Sequence, residues 1–186
     1  IVVKSGNTKY DSRNNCNAII ETASNTLIAG CVNTIIPSGV TSIGNNAFDG
    51  CTSLTAVTIG NDVGAIGGGA FSGCTGLESS TVASENTVYH SAGNCLIHTE
   101  SKALIAGCKN SVIPADGSVE HIGDYAFSSC TSLTAVTIPD TVTSIGDYAF
   151  SGCTGLTAVT IPDTVTSIGS SAFSGCTGLT AVHITD

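Results

Sequence analysis

Positive charge is scarce in this sequence. Five of the 186 residues are Lys or Arg, against fourteen Asp and Glu, and the formal net charge is -9. Nucleic acids and anionic membranes are bound through clustered Lys and Arg side chains that neutralise phosphates. The basic residues here form no such cluster: they are Lys4, Lys9, Arg13, Lys102 and Lys109. We therefore expect neither nucleic acid nor an anionic membrane as a partner.

Long apolar runs and methionine are also missing. No run reaches the roughly 18 apolar residues of a membrane-spanning helix, so no membrane insertion is expected. The chain opens with IVVKSGNTKY, which is not the basic segment followed by an apolar one that marks a signal peptide. With no initiator Met, we expect a processed or excised piece. Because residues 1–3 match the predicted strand at 80–82, we expect the parent to continue upstream.

The motifs of common catalytic and cofactor sites are absent as well. The sequence has no GxSxG, P-loop, HExxH or CxxC pattern, so no catalytic residue, cofactor or metal ligand is predicted and no enzyme is expected. The GAIGGG at 64–69 is not a dinucleotide fingerprint. His98, close to Cys95, could suggest a Cys/His nucleophile, but an exposed position on an alternating strand explains it more simply.

The sequence is rich in internal repeats instead. Phe and Cys recur together with a period of 23 residues, each Cys three positions after a Phe, at Phe48, Cys51, Phe71, Cys74, Phe127, Cys130, Phe150, Cys153, Phe173 and Cys176. A longer period of 79 residues relates Val3 and Cys16 to Val82 and Cys95. One such coil cannot bury its own apolar side chains, whereas stacked coils form a continuous core. The repeats therefore predict a solenoid.

Each coil carries a recognisable β pattern. Residues 156–161 have the spacing LxxVxI, in which Val159 and Ile161 alternate with the outward Ala158 and Thr160 at the period of a strand. A second short β segment is predicted at 165–168, and the AFSGC at 172–176 fits a single helical or 3₁₀ turn. The buried residues are expected to supply most of the stability, at roughly 1.5–3 kcal/mol for each large apolar side chain.

Acidic residues recur at equivalent corners of successive coils. Asp140 matches Asp163, and Asp124 matches Asp147. The expected role of these side chains is to cap turns. Stacked carboxylates that bind Ca²⁺ are the alternative, which the sequence leaves open.

The repeat resembles a known family. The pattern IPxxVxxIGxxAFxxCxxLxxIxI, present at 138–161, is similar to the Treponema pallidum-type subtype of leucine-rich repeats in BspA-like proteins. The resemblance implies a mainly β repeat solenoid: a leucine-rich repeat superhelix with a parallel β-sheet on the concave face, short β or 3₁₀ segments on the convex side, and two β-hairpin insertions. It also implies a secreted or cell-surface protein that adheres to host matrix or to other cells.

We expect the whole chain, 1–186, to form a single solenoid. Its predicted segments are a strand end with a first hairpin at 1–35, two repeats at 36–82, a second hairpin at 83–112, and three repeats with a final strand at 113–186.

Each predicted hairpin carries a pair of cysteines. Turns centred on Ala23 and Ser24, and on Ser101 and Lys102, would place the two cysteines of each pair opposite one another. Because an exported protein is implied, Cys16–Cys31 and Cys95–Cys108 are candidate disulfides. The alternative is that these four are small apolar residues, as the repeat cysteines are expected to be.

The outward positions of the main sheet form the candidate binding face. They are Ala56, Thr58, Ser79, Thr81, Ala135, Thr137, Ala158, Thr160, Ala181 and His183. The row lacks the Tyr, Trp and Arg side chains that anchor tight interfaces, so weak multivalent contact with a protein or cell-surface macromolecule is the expected mode. A structural spacer within a larger surface protein is the alternative function.

Overall fold

The structure, a computed structural model, describes residues 1–185 as a mainly β solenoid. Its strands are β1 Tyr10–Asp11, β2 Ile19–Glu21, β3 Thr26–Ala29, β4 Ser42–Ile43, β5 Ala56–Ile59, β6 Ala65–Ile66, β7 Ser79–Val82, β8 Tyr89–Ala92, β9 Cys95–His98, β10 Ala103–Ala106, β11 His121–Ile122, β12 Val136–Thr137, β13 Ser144–Ile145, β14 Ala158–Ile161, β15 Ser167–Ile168 and β16 Ala181–Ile184. A single 3₁₀ turn, Arg13–Asn15, is the one helical element of the described residues. This architecture confirms the predicted solenoid.

Strands β5, β7, β14 and β16, of four residues each, together with the two-residue β12 at the equivalent position, form what we call the long-strand sheet. It has two parts, β5–β7 and β12–β14–β16, and every pairing within it is parallel. Equivalent residues of neighbouring coils face each other, as Val136 faces Val159 and Val159 faces Val182. The repeat period therefore sets the register.

The short strands form a second set, which the hairpins extend. Strand β3 of the first hairpin pairs in parallel with β4, which pairs with β6; β10 of the second hairpin pairs in parallel with β11, which continues to β13 and β15. The hairpin strands themselves are antiparallel. Both predicted hairpins are confirmed, and each also provides the first strand of the sheet that follows it.

The core is a set of ladders built from repeated positions. Leu156, Val159 and Ile161 are at most 3% exposed. The ring of Phe150 stacks between those of Phe127 and Phe173, with centroid separations of 5.0 and 5.2 Å. This separation is close to the strand spacing of about 4.8 Å, so each aromatic ring packs on its own copy in the next coil.

A left-handed residue closes the turn before each Ala-Phe pair. The residue two positions after the Gly of the IG pair has a positive φ in every regular coil: Asn46, Gly69, Tyr125, Tyr148 and Ser171 have φ between 54° and 65°. Glycine adopts this conformation without steric cost, which accounts for Gly69 in the GAIGGG segment. The rings of Tyr125 and Tyr148 stack at 5.1 Å, so this position also forms an aromatic contact between successive coils.

The second hairpin divides the core into two clusters. Leu96 of β9 packs into the cluster of the first repeats, whereas Cys95 and Ile97 pack into the cluster of the later ones. All three side chains are fully buried. Strand β9 thus has a core on each face and forms a wall between the two halves of the solenoid.

Candidate interaction surface

The outward row predicted from the sequence lies on the long-strand sheet. Eight of its ten residues are exposed, while Ser79 and Ala181 are half-buried. The intervening Val57 and Val159 are buried, at 6% and 1% exposure. Period-two alternation therefore separates a surface of Ala and Thr from the core.

The chemistry of this row is uniform. Its side chains are small and neutral apart from His183, and the hydroxyls of Thr58 and Thr81 lie 3.1 Å apart. The row offers hydroxyl groups at a regular spacing and no large anchoring side chain. Such a surface suits repeated weak contacts better than one deep interface.

The row is broken in the middle, which the sequence analysis did not predict. Strand β7 pairs only with β5, and its Val82 amide donates instead to the Ser91 hydroxyl at 3.2 Å. The Ser80 hydroxyl, which stands where other coils have an apolar residue, donates to the Asn94 carbonyl oxygen at 3.3 Å. The second hairpin therefore ends the first half of the row. The signal for this break in the sequence was Ser80, at a position that is apolar in the other coils.

Two matching grooves border the long-strand sheet, and sequence reasoning missed both. We call them edge grooves. The first, of about 440 Å³, lies between Thr34–Ile36 and Ala56–Thr58; the second, of about 490 Å³, lies between Ser111–Ile113 and Ala135–Thr137. The second groove repeats the first on the later half of the solenoid, so the long repeat builds the same feature twice. The signal in the sequence was the recurrence of IIP at 35–37 as VIP at 112–114.

The candidate disulfide positions differ in register from the prediction. The first turn pairs Glu21 with Thr26 as expected, but a bulge then shifts the ladder by one residue. The second ladder pairs His98 with Ala103, so its turn centres one residue before the predicted position.

Both antiparallel ladders end before they join the cysteines. Cys16, Cys31, Cys95 and Cys108 are thiols in the structure. Burial raises the pKa of the Cys95 thiol to about 11, and the Cys31 thiol lies 3.2 Å from the Asn17 carbonyl oxygen. Oxidation of either pair remains a prediction.

Two of the four equivalent aspartates, Asp124 and Asp147, cap backbone amides. The Asp147 amide donates to the Asp124 carboxylate at 2.8 Å, and the Ser170 amide donates to the Asp147 carboxylate at 2.6 Å. Across residues 1–185 no group of three or more His, Cys, Asp or Glu side chains is placed to hold a metal ion. Capping between coils is thus the role that the geometry supports for Asp124 and Asp147.

Most of the basic charge is engaged within the chain. Arg13 pairs with Asp11, and Lys109 pairs with Glu78, each at 2.6 Å; Lys102 pairs with Glu120. The Arg13 guanidinium hydrogen-bonds Asp11 and lowers the pKa of that carboxyl. Among the charged side chains that remain outside these ion pairs, the excess of acidic over basic groups is therefore proportionally larger than the residue counts indicate.

Within the described part of the chain, no helix has the length and apolar character required to cross a membrane.

Comparison with known proteins identifies the repeat. The family described as "BspA type Leucine rich repeat region" matches residues 29–98 and 99–186 in six copies. No curated protein matches the sequence.

Two solved structures share the fold. A leucine-rich repeat protein from Eubacterium ventriosum is 24% identical with a TM-score of 0.64; the match covers 85% of this chain and 54% of that one. The pneumococcal vaccine antigen PcpA is 18% identical with a TM-score of 0.62, over 81% of this chain and 44% of that one. The chain thus spans about half the length of these relatives.

Proposed function

The chain belongs to the BspA-type leucine-rich repeat family, whose repeats are protein-interaction modules, and we propose that it is a non-enzymatic adhesion module. Its site of action would be the cell surface or the extracellular space, and its partner a protein or other macromolecule of a host matrix or of another cell. The observation that carries the proposal is the exposed Ala and Thr row on a rigid, repeated sheet.

The physical form of the row supports this role. Parallel pairing and stacked rings fix the spacing of successive coils, so the outward side chains are held in place before a partner arrives. A preorganised surface loses little conformational entropy on binding. Many equivalent weak contacts can then combine through multivalency.

One observation favours a second function, that of a structural spacer. The row has no aromatic or Arg anchor, and such anchors dominate most binding energies. In that case the array would only hold another domain away from a surface.

Binding to immobilised matrix proteins tests the proposal. We expect saturable binding that is lost in the double variant Thr137→Tyr and Thr160→Tyr, because bulky rings on the exposed row would block a partner. The matched control is Ser171→Tyr: this left-handed turn position carries Tyr in two other coils, so the substitution should leave both folding and binding unchanged. Absence of binding across a panel of matrix proteins would instead support the spacer.

A further inference from the structure

We propose that each edge groove binds one extended, basic peptide segment, which adds as a strand to the open edge of the long-strand sheet. The proposal rests on the interaction role put forward above, and it specifies both the place of binding and the class of partner.

One wall of each groove is a sheet edge without a strand beside it. Strand β5 pairs only with β7, and β12 pairs only with β14. The Ala83 amide donates to the Ile59 carbonyl oxygen at 2.9 Å. The N–H and C=O groups of the odd-numbered residues of β5 therefore point towards strand β7. Since the groups alternate in direction along a strand, those of Ala56 and Thr58 point into the first groove.

The same alternation holds at the second groove. Val136 faces Val159 in the parallel ladder, and the next coil repeats the arrangement, in which the Thr185 amide donates to the Ile161 carbonyl oxygen at 3.1 Å. The backbone groups of Thr137 therefore point into the second groove. Unpaired donors and acceptors along an open edge are the feature that β-strand addition uses.

The opposite wall is held away from the sheet by the hairpins. Residues 34–36 and 111–113 occupy the repeat position of a long strand, but they are not paired as strands. Instead the Ile35 amide donates to the Cys16 carbonyl oxygen at 3.1 Å, and the Val112 amide donates to the Gly93 carbonyl oxygen at 2.8 Å. Because these bonds tie the segments to the hairpins, a space opens where direct pairing would otherwise occur.

The groove rims are apolar and exposed. Ile35 is 76% exposed and Val112 is 71% exposed, the highest values of any large apolar residue between positions 3 and 183. Both stand at the same position of the repeat. A bound strand with apolar side chains at alternate positions would cover them while its backbone pairs with the sheet edge.

Charge selects a basic segment over an acidic one. The chain carries a net charge of -9, and Lys109, the basic residue nearest in sequence to the wall of the second groove, is paired with Glu78. Exposed Asp116 and Asp140 directly follow the lining residues Ala115 and Pro139. A peptide with flanking lysines would be attracted to this end of the groove, whereas one with flanking glutamates would be repelled.

A defined peptide tests the inference. The probe is an acetylated and amidated heptapeptide with Lys at both ends and alternating Thr and Val between them, titrated by calorimetry into the whole chain. We expect binding at two sites, tighter at the second groove because of its acidic end, and, by hydrogen exchange, slower exchange of the Thr58 and Thr137 amides. Methylation of alternate backbone nitrogens of the peptide should weaken binding about tenfold or more, because it removes backbone hydrogen bonds between the peptide and the sheet edge.

Two matched variants separate groove binding from folding. Thr137→Pro removes an amide that faces the groove, and proline is tolerated on an edge strand; it should leave one binding site instead of two at an unchanged melting temperature. Thr137→Val keeps the amide and the side-chain shape and should retain both sites. If the proline variant unfolds, the methylated peptide still tests the same backbone hydrogen bonds, because it is titrated into the original protein.

Several outcomes would overturn the inference. These are equal binding of the methylated peptide, equal binding of a peptide with Glu in place of Lys, or dimerisation of the chain through the grooves without peptide uptake. Matrix binding that is blocked on the exposed row while the peptide fails to bind would refute the groove alone. Peptide binding without any matrix binding would refute the adhesion role and leave the groove intact.

Discussion

At the scale of single residues, the repeat cysteines show why this position holds a thiol. The Cys153 thiol donates to the Phe127 carbonyl oxygen of the preceding coil at 3.0 Å, and the Cys74 thiol donates to that of Phe48 at 3.2 Å. Cysteine is a small apolar side chain that is also a weak donor, so it fills the ladder and satisfies a buried carbonyl. Burial raises the pKa of both thiols to about 12, which keeps them protonated and unreactive at neutral pH.

These thiols should make the fold sensitive to alkali. In the unfolded chain they ionise near the usual pKa of 9.0, whereas in the folded chain they stay protonated up to about pH 12. Above pH 9 the unfolded state binds fewer protons, so the free energy of unfolding falls as pH rises. Denaturant titrations from pH 7 to 11 should show a shallower fall in the double variant Cys74→Ala and Cys153→Ala.

The control for the alkaline experiment is Thr160→Ser, on the exposed row. Its free energy of unfolding should fall with pH as steeply as that of the original chain. Equal slopes in the original chain and the cysteine variant would contradict the assignment, because tyrosine and lysine titration would then explain the whole effect.

At the scale of elements, a glycine lies against the first ring of each of the two Phe ladders. A Cβ atom built at Gly30 would overlap the ring of Phe48, and one at Gly107 would overlap that of Phe127. The residue that follows β3 and the residue that follows β10 thus each present a backbone without a side chain to the first ring of a ladder. Glycine is required there for close approach rather than for a turn.

Truncation inside the ladder should be costly. Phe150 is fully buried between two other rings, so Phe150→Ala should lower the free energy of unfolding by about 3–5 kcal/mol through lost burial and a cavity. Thr160→Ser, on the exposed row, should lower it by less than about 0.5 kcal/mol. Equilibrium denaturation measures both values, and similar losses at the two positions would mean that the inward and outward faces are wrongly assigned.

At the scale of the whole molecule, the second hairpin couples two cores. Neighbouring residues of β9 pack into opposite clusters, Leu96 into the first and Ile97 into the second. Repeat proteins gain stability from contacts between adjacent units, so this wall should transmit stability between the two halves. The second hairpin is therefore an insertion that also contributes to the stability of both halves of the solenoid.

A matched pair of truncations tests the wall. Leu96→Ala should accelerate amide exchange mainly in the first half, for example at Ile43, whereas Ile97→Ala should do so mainly in the second half, for example at Ile145. Each should cost about 2–5 kcal/mol. Native-state hydrogen exchange read by mass spectrometry resolves the two patterns. Identical patterns from both variants would show that the solenoid unfolds as one unit.

The repeated units were predictable because their information is local. A 23-residue period with Leu, Val, Ile and Phe at fixed places can bury those side chains only by stacking. The solenoid and the alternation along 158–161 follow from that constraint, and the two hairpins follow from pairs of apolar runs around polar turns. The family resemblance followed from the same residues, since it rests on the same pattern.

What only the tertiary structure decided lies where unlike segments meet. The bulges that shift both cysteine registers, the break in the outward row at β7 and the two edge grooves depend on where the hairpin backbones find hydrogen-bond partners. Bonds such as those from Ile35 and Val112 join residues about 19 positions apart along the chain, and the 23-residue period does not specify them. A repeat encodes its contact with a copy of itself, whereas contact with a different segment is settled only when the folded chain brings the two together.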